Sequence, residues 1–138
     1  MRLNIGHIKG QELERPMPSA IVRNLERRAA QEAVDAAVAV LDLNFEQLAD
    51  TLQVDRRTVY RYRMCQTVPT PEVRRRFDML REIIQLLEEI FAKPEDRHEW
   101  MYRSVPLLRG RRPIDLMLKA ELEPIVEVLA GYQAGAHT

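Results

Sequence analysis

Arginine is concentrated in one short part of the chain. Eight arginines and only two acidic residues lie between Arg56 and Arg81, whereas the whole chain has 21 basic and 21 acidic residues. A guanidinium donates paired hydrogen bonds to guanine edges and to phosphate oxygens. The segment therefore favours an anionic partner such as DNA, and a solvated arginine-rich helix surface is the alternative.

Residues 45–64, FEQLADTLQVDRRTVYRYRM, have the pattern of two short helices around a tight turn. Such a helix-turn-helix needs inward apolar residues on both helices, a small residue at their crossing and an apolar plug in the turn. The residues that fill these places are Leu48, Ala49, Leu52, Val54, Val59 and Tyr62. Gln53 stands where a glycine is usual, which costs modest backbone strain.

The second helix of this motif would place its N-terminal half in a major groove. Base-edge contacts are expected from Arg56, Arg57 and Arg61, with Tyr60 beside them. Phosphate contacts are expected from Arg63, Arg74, Arg75 and Arg76. A helix-turn-helix that serves only as a structural or dimerising unit is the alternative.

The elements that position this motif are predicted to be helices. Apolar residues recur at intervals of three and four and strand signals are nearly absent, so the sequence predicts an all-α protein. Ser19, Asn44, Asp55 and Thr70 are the expected N-caps. Helices are predicted over residues 20–41, 45–52, 56–64, 71–92, 113–119 and from 124 to about 131, whereas the segment at residues 95–102 is given no secondary structure.

A boundary is predicted near Pro94. Residues 1–18 are expected to be a poorly ordered N-terminal arm. Residues 19–93 would form an N-terminal helix-turn-helix bundle, a DNA-binding domain whose long last helix joins a small C-terminal helical unit, residues 94–138. In the long helix, a buried face is predicted by the periodic residues Val73, Phe77, Leu80, Ile84, Leu87 and Phe91. A seam between the subunits of an oligomer is the alternative.

Several classes of function are disfavoured by composition. The single cysteine, Cys65, allows no internal disulfide, and the three histidines have no metal-ligand spacing. No apolar run approaches the roughly 18 residues of a membrane span. No phosphate-binding glycine loop and no nucleophile motif is present. We therefore expect a cytoplasmic protein without metal or cofactor that is not an enzyme.

The second half of the chain contains the spacing of a known family. Trp100 is followed by LLRGRRPIDL at residues 107–116, IVEVL at residues 125–129 and Gly135. Behind a helix-turn-helix and a long helix, this order resembles the Xre/MbcA/ParS antitoxins over residues 20–138. The chain departs from the family at Arg112, where Ser or Thr usually precedes the proline, at residues 122–124, where a glycine is common, and near Cys65.

The resemblance implies a two-part protein. Its N-terminal part would bind operator DNA and regulate its own genes, and its C-terminal part would cover the active site of a RES-domain toxin that consumes NAD. The toxin-facing residues implied are Arg109, Arg111, Arg112, Tyr132, Gly135, Ala136 and His137. A homodimer or a larger complex with the toxin is expected. The alternatives are a stand-alone helix-turn-helix regulator with a dimerising C-terminal unit and a protein-binding adaptor.

Overall fold

The structure, a computed structural model, describes residues 18–136. Within that range the chain forms seven α-helices, one 3-10 turn and no strand, which confirms the all-α fold class. The helices are α1 (Ser19–Leu41), α2 (Phe45–Leu52), α3 (Arg56–Arg63), α4 (Pro71–Ile90), α5 (Pro94–Tyr102), α6 (Pro113–Leu118) and α7 (Glu123–Ala136), with the 3-10 turn at Pro106–Leu108. The predicted arm lies almost wholly outside the described residues.

Polar side chains begin three of the helices, as predicted. The Asn44 side chain accepts a hydrogen bond of 2.8 Å from the Gln47 backbone N–H, and the Gln47 side chain accepts one of 2.9 Å in return. Asp55 caps α3 by accepting from the Thr58 N–H at 2.7 Å, and Thr70 caps α4 in the same way. These bonds satisfy amide groups that have no partner within a helix, and they fix where α2, α3 and α4 begin.

Helix α1 differs from its prediction at its N-terminal end. Pro18 is the N-cap, so Ser19 is the first helical residue and makes no capping hydrogen bond. The spacing of the apolar residues predicts a buried stripe at Ile21, Leu25, Ala29, Ala33, Ala36 and Val40. The first two of these side chains are, however, 47% and 51% exposed. The buried side chains of α1 are instead Ala30, Ala33, Val34, Ala37 and Leu41. The buried face of α1 is therefore rotated by about one residue from the predicted face, because the position of the neighbouring helices determines which side chains are buried.

Helix α7 is longer than predicted. It was expected to end near Gly131 but continues to Ala136. A Cβ atom built on Gly131 would have no neighbour within 4 Å, so no close packing requires glycine there. A glycine inside a helix costs only about 1 kcal/mol, and tertiary contacts of α7 outweigh that cost.

Helix α4 lies at the centre of the core. It packs against α1 on one side and α7 on another, and it also contacts α2. Of its predicted buried residues, Phe77 is fully buried and meets the Tyr62 ring edge-on, with centroids 5.3 Å apart. Val73, Leu80, Ile84 and Leu87 are also buried, whereas Phe91 is half-buried beyond the helix end.

One hydrophobic cluster runs through the described chain and includes residues from both sides of Pro94. Helix α2 contacts α6, and α4 contacts α7, so elements before and after that proline pack directly on each other. The helices that present the arginine-rich segment and those that form the C-terminal loop therefore rest on the same core.

Replacing Phe77 with alanine is predicted to lower the free energy of unfolding by about 3–5 kcal/mol, because it leaves a cavity beside Tyr62. Equilibrium urea denaturation followed by circular dichroism measures the change. Leu25→Ala, which removes an exposed side chain, is the control and should change stability by less than about 0.5 kcal/mol. Equal effects of the two substitutions would contradict the central position of α4.

Candidate functional site

The turn between α2 and α3 holds the two helices at a fixed angle. Leu48, Leu52 and Val59 are fully buried, and Val54 is half-buried in the turn. Gln53 ends α2 in the left-handed conformation, with φ of 56°. This is the position at which most helix-turn-helix motifs have a glycine. This conformation costs a non-glycine residue modest strain, and the burial of Leu52 and Val59 around the turn stabilises it.

The outward face of α3 presents three arginines to solvent. Arg56, Arg57 and Arg61 are exposed, and none of their guanidinium groups forms a hydrogen bond or an ion pair with a described residue. Tyr60, between them, is 51% exposed. This face therefore combines free guanidinium groups with an accessible aromatic ring.

The acid at the start of α3 does not neutralise these arginines. Hydrogen bonds from the side chain and backbone of Thr58 hold the pKa of Asp55 below its ordinary value, and Arg61 and Arg57 act in the same direction. The Asp55 carboxylate is thus engaged with the helix terminus, where a negative charge is favourable. The three guanidinium groups stay available for an external anion.

Two of the four expected phosphate-contacting arginines form ion pairs within the chain. Arg63 lies 3.7 Å from Asp35 and also stacks over the Phe45 ring at 5.6 Å. Arg74 lies 3.5 Å from Glu26. These pairs are partly exposed and contribute little to stability, so a phosphate can compete for either arginine.

The other arginines of α4 divide into anchored and free ones. Arg76 donates a 3.2 Å hydrogen bond to the Leu52 carbonyl, and Arg81 donates one of 3.0 Å to the Ala29 carbonyl. Arg76 thereby satisfies a carbonyl at the C-terminal end of α2, which makes it a structural residue here. Arg75 is exposed and has no partner among residues 18–136. Sequence reasoning missed these anchoring roles because they depend on contacts between distant helices.

The loop before α6 is held by its own backbone. The Val105 N–H donates to the Arg111 carbonyl at 3.1 Å, and the Gly110 N–H donates to the Val105 carbonyl at 3.0 Å. The Ser104 hydroxyl donates to the Gly110 carbonyl. Gly110 has a left-handed conformation, with φ of 78°, and Arg109 before it has φ of 60°. The loop is therefore a closed turn that projects Arg109 into solvent.

The arginines of this loop differ in their partners. Arg111 donates to the Leu108 carbonyl at 2.9 Å and lies 3.6 Å from Glu121. Arg112 makes two hydrogen bonds to Asp115, at 2.8 and 2.9 Å. Arg109 is exposed and has no partner in the described part of the chain.

The pair of Arg112 and Asp115 replaces a side-chain cap at the start of α6. Hydrogen bonding from Arg112 holds the pKa of Asp115 below its ordinary value, and the same bond raises the pKa of Arg112. Arg112 has no side-chain oxygen and cannot cap the helix amides as serine or threonine does. Instead, the Arg112 side chain is held in place by its hydrogen bonds to Asp115, the third residue of α6.

The remaining predicted partner-facing residues lie on α7. Tyr132 is half-buried and meets the Trp100 ring edge-on, with centroids 6.2 Å apart. Gly135 and Ala136 form the end of α7, and the 3-10 turn contacts that helix. His137 lies outside the described residues. The loop and α7 are thus neighbouring parts of one surface.

Within residues 18–136, no group of three or more His, Cys, Asp or Glu is placed to hold a metal ion. No described helix combines the length and the apolar composition that a membrane span needs.

Comparisons with known proteins identify relatives of the chain. The mycobacterial cidal antitoxins MbcA of Mycobacterium bovis and Mycobacterium tuberculosis are each 26% identical over 102 residues, which cover 74% of this chain and 89% of the relative. A chain in the crystal structure of the M. tuberculosis MbcT–MbcA toxin–antitoxin complex matches with a TM-score of 0.59 and 25% identity, covering 76% of this chain and 94% of that one. No protein-family model matches the sequence. These findings confirm the predicted resemblance to MbcA-type antitoxins.

Replacing Arg112 with alanine is predicted to raise the pKa of Asp115 toward its ordinary value, because it removes the two hydrogen bonds to the carboxylate. An NMR titration of the side-chain carboxyl carbon measures the shift, and the pKa of Asp55 is the internal control. The stability from this pair is present at neutral pH and is lost as the pH falls through the folded-state pKa of Asp115. An unchanged Asp115 titration would contradict the pairing.

Proposed function

We propose that this chain, a relative of the MbcA antitoxins, is the antitoxin of a toxin–antitoxin system and neutralises a RES-domain toxin that degrades NAD. The likeness to MbcA over 74% of the chain is the observation on which the proposal rests. The chain would act by binding and would be a non-enzymatic regulator of the cytoplasm.

Neutralisation is assigned to the surface formed by the loop before α6 and the end of α7. Arg109 projects from a closed turn with no internal partner, and Arg111 and Arg112 form partly exposed ion pairs beside it. A toxin that binds NAD must accommodate the anionic pyrophosphate. A guanidinium held on a stiff loop suits acidic side chains that line the cleft of such a toxin. The end of α7, at Gly135 and Ala136, and the following residue His137 would also enter the cleft.

Autoregulation is assigned to α3. The unpaired Arg56, Arg57 and Arg61 supply guanidinium groups for guanine edges, and Arg75 supplies one for a phosphate. Two short helices around a tight turn, with the second exposed, are the arrangement that places a helix in a major groove. A homodimer would place two such helices on a symmetric operator upstream of the toxin–antitoxin genes.

Replacing Arg56, Arg57 and Arg61 together with alanine is predicted to weaken binding to the DNA upstream of the gene by at least about a hundredfold, because three groove contacts are removed. An electrophoretic mobility-shift titration measures the affinity. The helical circular dichroism signal should not change, since all three side chains are exposed. The control is Arg109→Ala, which should bind the DNA normally, and unchanged affinity of the triple variant would refute the groove assignment.

Replacing Arg109 with glutamate is predicted to weaken binding to the toxin by more than about tenfold, because the new negative charge would face like charges on the toxin. Removing residues 135–138 is predicted to weaken it to a similar extent, because the cleft would then be left empty. Co-expression with the neighbouring gene product tests this, with growth and cellular NAD as the readouts. The triple alanine variant of α3 should still protect the cells. A neighbour that is not toxic, or full protection by both Arg109→Glu and the truncation, would contradict the neutralising surface.

A further inference from the structure

An open depression lies between the start of α2 and the outward face of α3. Its volume is about 450 Å³, and its lining residues are Phe45, Arg56, Arg57 and Tyr60. Two of these residues are aromatic, and the other two are arginines, whose side chains combine an aliphatic stem with a guanidinium group. The depression therefore brings apolar side-chain surface and guanidinium groups together.

Tyr60 is not needed by the core. The buried residues of α3 are Val59 and Tyr62, and Tyr60 faces the other way with half of its surface exposed. Its hydroxyl group has no hydrogen-bond partner among the described residues. An exposed ring beside three unpaired arginines has the composition of a contact surface.

The register of α3 puts the ring beside the cations. Tyr60 follows Arg57 by three residues and Arg56 by four, so the three side chains share one face of the helix. Phe45, on α2, closes the depression on another side, and the Arg63 guanidinium stacks over its ring at 5.6 Å. Because Phe45 and Tyr60 come from two helices whose angle is fixed by the turn, the depression has a defined shape.

The chemistry of the major groove selects what fits there. The 5-methyl group of thymine is an apolar group on a base edge of that groove, and arginine pairs with the O6 and N7 atoms of guanine. We propose that the depression takes the 5-methyl group of a thymine that neighbours a guanine contacted by Arg56 or Arg57. This inference rests on the proposed DNA binding and names the base pairs that α3 distinguishes.

The competing role for Tyr60 is a hydrogen bond from its hydroxyl group to a phosphate oxygen. That role depends on the hydroxyl and not on the ring, and it does not respond to a methyl group on a base. Tyr60→Phe keeps the ring and removes the hydroxyl, whereas Tyr60→Ala removes both. This pair of variants, together with DNA that lacks thymine methyl groups, separates the two roles.

The test uses the DNA upstream of the gene, amplified once with thymidine and once with deoxyuridine nucleotides, so that the second probe lacks every 5-methyl group. The chain and its Tyr60→Phe variant should bind the thymidine probe about fourfold more tightly for each methyl group that they bury. Tyr60→Ala should bind the two probes equally.

Each other outcome identifies which statement is wrong. Equal affinity of the unaltered chain for both probes would overturn this inference and leave DNA binding in place. Discrimination that persists in Tyr60→Ala would also overturn it, since the methyl group would then be recognised elsewhere. Failure to bind either probe would refute the DNA-binding part of the proposed function itself.

Discussion

The burial of one face of α4 is the constraint on which the rest of the structure depends. Its apolar residues pack against α1 on one side and α7 on another, and Phe77 meets Tyr62 of α3. Arg76 and Arg81, on the same helix, donate to main-chain carbonyls of α2 and α1. One helix thus holds the two short helices in place by apolar packing and by hydrogen bonds together.

Fewer arginines have an unpaired positive charge in the structure than the sequence indicates. The segment from Arg56 to Arg81 contains eight arginines, but those at 63, 74, 76 and 81 each have a partner within the chain. The unpaired guanidinium groups of the segment are concentrated on α3, with Arg75 on α4. The surface offered to an anionic partner is therefore compact rather than broad.

Local patterns predicted the features that depend on near neighbours. The caps at Asn44, Asp55 and Thr70 could be predicted because a cap involves residues three apart, and the buried face of α4 because its periodicity is regular. The packing face of α1 and the end of α7 could not, since alanine-rich and glycine-containing helices accept several packing arrangements. The anchoring of Arg76 by the Leu52 carbonyl depends on residues 24 apart in the chain, a distance at which spacing gives no signal. In the candidate site, the exposure of the outward face of α3 could be predicted from the helix-turn-helix pattern. The depression beside Phe45 could not be predicted from it.

The contact between α2 and α6 has a consequence for how such proteins diverge or are recombined. A cut at Pro94 would uncover apolar surface on both fragments, because the hydrophobic cluster continues across it. An exchange of N-terminal halves between two relatives must therefore preserve the surface of α6 that supports α2. If the proposed function holds, residues that set specificity could vary on the outer faces of α3 and of the Arg109 loop. The contact surface between α2 and α6 would have to be preserved as a unit.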